Sequence, residues 1–204
     1  MKNLTLKEFA DVVASNEPVP GGGSVAAVCG TLSAALSEMV ARLTIGKKKY
    51  AEHEEEMNAV KEKAFILRNK LVDFIEKDSI AYNKVMEAYK LPKETDEEKS
   101  VRKNAIREGS KLAASVPLEV AQVSYEILPL AEAVVIRGNS NAVTDGLVAA
   151  MLARTAVLSA ILNVRINLDS IDDEEFVREY KEKADELENN TLAYEKKILE
   201  CSPF

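Results

Sequence analysis

The sequence predicts an all-α protein, a bundle of long helices forming one domain over residues 1–204. Three observations carry this. Runs of alternating β-branched residues, the mark of half-buried strands, are absent. Val60, Ala64, Leu67, Leu71, Phe74, Asp78, Ala81, Val85 and Ala88 recur at an unbroken four–three spacing, as in helices packed side by side. Residues 24–45 and 142–162 are apolar segments, each long enough for a buried helix.

Taken in order, Thr5 and Glu8 have capping-box spacing and open a short helix over about 5–15. Pro18-Val19-Pro20-Gly21-Gly22-Gly23-Ser24 is a turn, with Ser24 as N-cap of a helix to Thr44. One face of that helix carries Cys29, Leu32, Leu36, Met39 and Leu43. The other carries only small residues from Ala26 to Ala41, which permit close approach of another helix, within the bundle or across a dimer. Gly46 and the lysines Lys47, Lys48 and Lys49 precede the long helix, which ends near Tyr89. Thr95 and Glu98 form a second capping box. Pro117 and Pro129 each either kink the following 96–136 segment or start a new helix in it. Gly138 closes that segment, Ser140 or Asn141 caps a buried helix to about Leu162, and Asn163–Asn167 is a polar break. Asp172 caps a charged final helix to Leu199.

The net charge of −7 argues against a nucleic-acid partner, because neutralising phosphates needs a basic face. The two apolar segments approach the length of a bilayer crossing, but Glu38, Arg42, Asp145 and Arg154 interrupt them, so both read as buried helices rather than membrane spans. Cys29 and Cys201 form no disulfide framework, which suits a cytoplasmic protein. With one histidine, His53, in an acidic run and no cysteine pair, no metal site is expected. Acid–base chemistry then falls to carboxylates, lysines, Cys29 or tyrosines.

Asp78 stands out, because it occupies an apolar slot of the 60–88 seam. An ionised carboxylate there costs several kcal/mol unless it is paired, hydrated or protonated. It is therefore either the buried partner of an arginine or helix end, or a ligand-contacting group. The glycine turn offers backbone donors at a helix N-terminus, or simply turns a corner. Asn141 and Asp145 share a helix face, as do Asn163 and Asn167, and either pair serves as caps or as ligand contacts. The lysine run is a solvated turn unless the ligand is a polyanion.

The stretches PVPGGGSVAA (18–27), MVARLTIGKKKY (39–50), DSIAYNKVMEAYKLPK (78–93), ASVPLEVA (114–121), RGNSNAVTD (137–145) and NVRINL (163–168) are collinear and span nearly the whole chain. Through them the chain resembles the formiminotetrahydrofolate cyclodeaminase family, which includes methenyltetrahydrofolate cyclohydrolases. The resemblance implies a helical fold, commonly dimeric, that takes a tetrahydrofolate derivative without metal or redox cofactor. It also implies an acidic catalytic residue at Asp78. On that footing Pro20, Gly21, Gly22, Gly23 and Ser24 hold the pterin or the reacting edge. Asn139, Asn141 and Asp145, with Asn163 and Asn167, read its hydrogen-bonding groups. Lys47, Lys48 and Arg137 meet a glutamate tail, single or extended. The implied reaction is deamination of 5-formiminotetrahydrofolate to the methenyl compound, the alternative being cyclohydrolysis. A reading of another class is a non-catalytic folate-binding assembly.

Overall fold

The computed structural model describes residues 1–204 and contains seven α-helices, two 3₁₀ turns and no strand. The helices are α1 (Leu6–Val13), α2 (Gly22–Thr44), α3 (Glu54–Lys90), α4 (Asp96–Tyr125), α5 (Leu128–Arg137), α6 (Val143–Leu168) and α7 (Glu174–Leu199). Four of them make the bundle. α2 packs against α3 and α6, and α4 packs against the same two helices from the other side. Contacts between Ser24 and Asp78, and between Glu38 and Arg68, show that α2 and α3 run antiparallel. Ser33 Oγ donates to the Ala149 carbonyl at 2.7 Å and Gly22 lies against Asn163, so α6 is antiparallel to α2 as well. α7 lies mainly against α6, and α5 bridges the α4–α6 connection.

The seam on α3 is buried as its spacing predicts: Val60, Ala64, Leu67, Leu71, Phe74, Ala81 and Ala88 are all in the core. On α2 the small-residue face is the buried one. Ala26, Ala27, Gly30, Ser33, Ala34, Ser37 and Ala41 sit between α3 and α6, while Leu32, Met39 and Leu43 remain exposed. The cause is local: an added Cβ at Gly30 would lie 2.7 Å from Ser124 Oγ and 3.1 Å from the Leu71 side chain, so those side chains already fill the space a larger residue would need. By composition α2 and α6 are long and apolar enough to cross a bilayer, yet about half of each apolar stretch is packed inside the bundle.

Several helix boundaries differ from the sequence expectation. Both capping boxes form, at Thr5/Glu8 and Thr95/Glu98. Pro117 does not interrupt α4, whereas Pro129 sits in the first turn of α5, where its missing N–H is no loss. The Asn163–Asn167 stretch is not a break. It continues α6 to Leu168, because Val164 and Leu168 stay in the core and Asn163 and Asn167 turn their amides onto helix carbonyls. Asp173 rather than Asp172 caps α7, accepting from the Phe176 N–H, and Asn139 caps the 3₁₀ turn at 140–142. Ser24 is not an N-cap: α2 begins two residues earlier, with Gly21 as a cap that has no side chain to offer.

Candidate active site

The missing cap of α2 is supplied by another helix. Gly22, Gly23 and Ser24 are the first residues of α2, and their N–H groups have no intrahelical acceptor. Asp78, projecting from α3, brings its carboxylate to this end. It accepts from the backbone N–H of Ser24 and from Ser24 Oγ, the latter at 3.2 Å. Ser24 Oγ also reaches the Ile75 carbonyl at 3.0 Å and lies 3.4 Å from Ser79 Oγ, which fixes its rotamer. Gly23 lets the carboxylate come this close, because a methyl group built on it would fall 2.1 Å from Asp78 Oδ1. The Val19–Pro20 bond just before the glycines is cis.

Burial pushes the Asp78 carboxyl above the usual carboxylate range, and the Ser24 hydroxyl and N–H only partly oppose this. No lysine, arginine or histidine pairs with it in this chain. Of the partners expected for a buried carboxylate the arginine is thereby removed, while the helix end is present, and it leaves a carboxylate edge for a ligand. What stands is a half-buried carboxyl group with a raised pKa at a helix N-terminus, facing open space.

That space is a cleft of about 300 Å³ lined by Pro18, Gly21, Gly22, Gly23, Asp78 and Tyr82, and closed by Ala113, Asn163 and Asn167. Asn163 Nδ2 donates to the Ser159 carbonyl, and Asn167 Nδ2 donates to the Ala113 and Asn163 carbonyls, each at 2.8 Å. The Asn167 nitrogen thus spends both its hydrogens and the Asn163 nitrogen one, and both side-chain oxygens are left without a protein donor. Tyr82 was not singled out by the sequence reading. Its signal was available, since it lies four residues after Asp78, one turn along the same helix face. Ile166, two-thirds exposed, forms the outer lip.

The other residues anticipated for the site gather elsewhere. Lys47, Lys48, Arg137, Asn139, Asn141 and Asp145 lie towards the opposite end of α2. The 23 residues of that helix separate its ends by about 33 Å. Asn139 is buried and structural: its N–H donates to Thr44 Oγ1 at 2.8 Å, its Nδ2 donates to the Leu43 carbonyl, and its Oδ1 accepts from the Asn141 N–H. Arg137 is held by a bidentate pair with Glu56, both bonds 2.6 Å. Asp145 stands in the first turn of α6, where a negative charge favours the helix dipole. Beside them Tyr50 OH accepts from the Ser140 N–H and lies 3.0 Å from Ser140 Oγ, to which Lys49 also donates. Hydrogen bonds from the Ser140 hydroxyl, Lys49 and the Ser140 N–H lower the Tyr50 phenol to about 8. Lys47, Lys48, Arg137, Asn139, Asn141 and Asp145 therefore do not join Asp78 within one chain.

Comparison with known proteins agrees with this placement of the fold. Residues 5–186 match the family model described as formiminotransferase-cyclodeaminase. The chain is 43% identical to a methenyltetrahydrofolate cyclohydrolase of Methylorubrum extorquens over 97% of its own length and 95% of the relative's. It is 33% identical to the formimidoyltransferase-cyclodeaminase of Mus musculus over 85% of its length, spanning about a third of that longer protein. A crystal structure of formiminotetrahydrofolate cyclodeaminase from Thermotoga maritima superposes with a TM-score of 0.88 at 36% identity, covering 98% of this chain and 96% of that one. Matched along nearly its whole length by the family model, a full-length relative and a solved structure, the chain belongs to the formiminotransferase-cyclodeaminase family.

Proposed function

We propose that this protein is a folate one-carbon enzyme that closes the N5–N10 carbon bridge of tetrahydrofolate, with Asp78 as its acid–base group. The observation that carries this is the Asp78 carboxyl itself: raised in pKa, free of any cation, and facing a cleft of ligand size. In 5-formiminotetrahydrofolate, N10 attacks the formimino carbon and forms a tetrahedral centre between N5 and N10. With the formimino nitrogen protonated in the substrate, Asp78 takes the N10 proton and returns it to the resulting amino group, the carbon–nitrogen bond breaks, and ammonia leaves the 5,10-methenyltetrahydrofolate cation. The Ser24 hydroxyl and N–H orient the carboxylate, and the unoccupied oxygens of Asn163 and Asn167 accept from the N–H edge of the pterin. No metal or redox cofactor enters this scheme, and the free thiols suit a cytoplasmic enzyme.

Cyclohydrolysis is the second reading, favoured by the full-length relative at 43% identity. Water then adds to the methenyl carbon as Asp78 takes one of its protons, the remaining hydroxyl proton passes to N5 as the carbon–N5 bond breaks and the carbonyl forms, and 10-formyltetrahydrofolate results. Following the near-ultraviolet absorbance of methenyltetrahydrofolate tests both. A signal rising with ammonia release from 5-formiminotetrahydrofolate establishes cyclodeamination. Loss of methenyl signal faster than in buffer, without activity on the formimino substrate, establishes cyclohydrolysis. Silence in both with folded protein and bound folate leaves only the binding assembly.

The same reading includes a homodimer. α2 and α6 pack together and leave Leu32, Met39, Leu43, Met151, Leu162 and Ile166 exposed, more apolar surface than isolated residues explain. Sedimentation gives a dimer for the wild type and a monomer for Leu32→Glu/Met39→Glu if this face seats the second copy. A wild-type monomer removes the dimer.

A further inference from the structure

Ser24 Oγ sits among more acceptors than it has hydrogens. A serine hydroxyl has one hydrogen to give and two lone pairs. Around it lie the Ile75 carbonyl at 3.0 Å, Asp78 Oδ2 at 3.2 Å and Ser79 Oγ at 3.4 Å. The carbonyl and an ionised carboxylate can only accept, so they compete for the same hydrogen. Neither distance is short for a hydroxyl donor, and the hydrogen is committed to neither. Ser24 and Ser79 are both buried, so bulk water does not settle the competition.

The charge on Asp78 decides it. Hydrogen bonds to an ionised acceptor are roughly twice as strong as those to a neutral one. An ionised Asp78 therefore draws the hydrogen in spite of its longer distance. A protonated Asp78 loses that advantage, and the nearer Ile75 carbonyl takes the hydrogen back. That carbonyl can release it at little cost, because it lies inside α3 and already receives the helical bond from the Ser79 N–H. Once Ser24 gives its hydrogen to Asp78, its lone pairs can accept from the Ser79 hydroxyl. The alternative acceptor for Ser79 is the Met1 thioether at 3.7 Å, which is a weak one. Hydrogen bonds linked in this way strengthen one another.

We propose that the Ser24 hydroxyl is a two-position switch, turned onto Asp78 when the carboxylate is charged and onto the Ile75 carbonyl when it is neutral, with Ser79 as the positioning residue that supports the charged state. This rests on the reading of Asp78 as the acid–base group. In one turnover Asp78 takes a proton from the substrate and gives it back. Ser24 keeps its own proton throughout; only the direction of its O–H changes, and no heavy atom has to move. The carboxyl thus changes charge within the bundle without a cation to compensate it. No other group at the cleft contends for the role. Gly22 and Gly23 of α2, Ala113 of α4, and Asn163 and Asn167 of α6 are uncharged, and Tyr82 of α3 is the one further titratable side chain lining it. Beyond the serines, Glu76 pairs with the Met1 amino group and Asp73 with Lys2.

The test is a pH titration of the full-length protein, without folate, followed by carbon-13 NMR of labelled aspartate carboxyls and isoleucine carbonyls. The Asp78 signal is identified by its loss in Asp78→Asn. In wild type the Ile75 carbonyl carbon is expected to move downfield on acidification, with the same midpoint as the Asp78 carboxyl, as the hydroxyl turns onto it. In Ser24→Ala the Ile75 signal should stay flat, and the Asp78 midpoint should move to higher pH because the charged form has lost a donor. Ser24→Cys fills the same space with a weak donor, should behave as Ser24→Ala does, and serves if the alanine variant does not fold. Ser79→Ala should raise the Asp78 midpoint less. In turnover, the acid limb of the kcat profile should follow the Asp78 midpoint in each variant. Loss of one hydrogen bond to a charged group should lower kcat of Ser24→Ala about tenfold, with KM within about twofold of wild type. The proposal is overturned if Ile75 is flat in wild type, if it still titrates in Ser24→Ala, or if the Asp78 midpoint is the same in both. Failure of the reaction is separable. Coupled Ile75 and Asp78 signals with no turnover of either folate remove the reaction and leave the switch, while turnover with a flat Ile75 signal removes the switch alone.

Discussion

Asp78 and Glu38 are both carboxylates drawn into the bundle, and their surroundings give them opposite characters. Glu38, on α2, is 6% exposed, and burial alone pushes its carboxyl up. Arg42 donates to its Oε1 at 2.7 and 3.0 Å and Arg68 to its Oε2 at 3.0 Å, which together hold it below the usual range. Asp78, on α3, has only a hydroxyl and a backbone N–H, so burial prevails and its carboxyl is raised. The lesson concerns availability. A carboxylate clamped by two guanidiniums has no reason to take a proton; one held only by dipoles and raised by burial takes a proton more readily than a carboxylate in water.

The sharpest way to break the comparison is to remove each acid in turn. Asp78→Asn keeps shape and removes the proton acceptor, so turnover should fall by about 10²–10⁴-fold, the range for loss of a general acid–base group. Folate binding, read by fluorescence quenching, should persist. Full activity in this variant would take Asp78 out of the reaction. Gly23→Ala is next in size. The new methyl group would lie 2.1 Å from Asp78 Oδ1, so the carboxylate must move by an ångström or more. A shift of that size costs about a hundredfold in turnover. Unchanged kinetics would show that the contact between the glycine turn and Asp78 has no bearing on the chemistry.

The fold was legible because the α3 seam and the two capping boxes are local signals, written in four–three and three-residue spacings. Asp78 was legible for the same reason, as a charged residue in an otherwise apolar register. What the sequence hid was distance. Asn139 and Asn163 lie in equally suggestive stretches, RGNSNAVTD and NVRINL, yet one knots the C-terminal end of α2 and the other lines the cleft at its N-terminal end. Nothing local distinguishes a helix-end asparagine that caps from one that faces a ligand. The Ser24 reading failed similarly, because the group that caps α2 comes from 54 residues away.

Glu38→Gln tests the other half of the comparison. It leaves the Arg42 and Arg68 guanidiniums without their charge partner, and should cost about 1–2 kcal/mol of unfolding free energy, since both arginines retain access to water. Denaturant titration reads this directly. Turnover should stay within about twofold of wild type, because Glu38 lies some 20 Å along α2 from Gly23 by helical rise. A large loss of activity with unchanged stability would reverse the roles assigned to the two acids.

The smallest effect is the most diagnostic, since the two acids should tilt stability with opposite sign as pH changes. Glu38 has a lowered pKa in the folded state, so its contribution is present above the unfolded value and is lost as pH falls through the folded one. Asp78 has a raised pKa, so its contribution is full below the unfolded value of about 3.9 and is lost as pH rises through the folded one. The wild type should therefore lose ground to Asp78→Asn as pH rises above about 4, and the difference in melting temperature should level off once the folded-state carboxyl has ionised. The asparagine amide brings a constant offset of its own, so the slope with pH is the quantity to read. Glu38→Gln should slope the other way, with the wild-type advantage shrinking as the solution is acidified. A flat difference for Asp78→Asn would mean that its carboxyl titrates as it does in the unfolded chain. Asp78 would then be no better poised for proton transfer than a carboxylate in water, and the contrast with Glu38 would rest on the arginines alone.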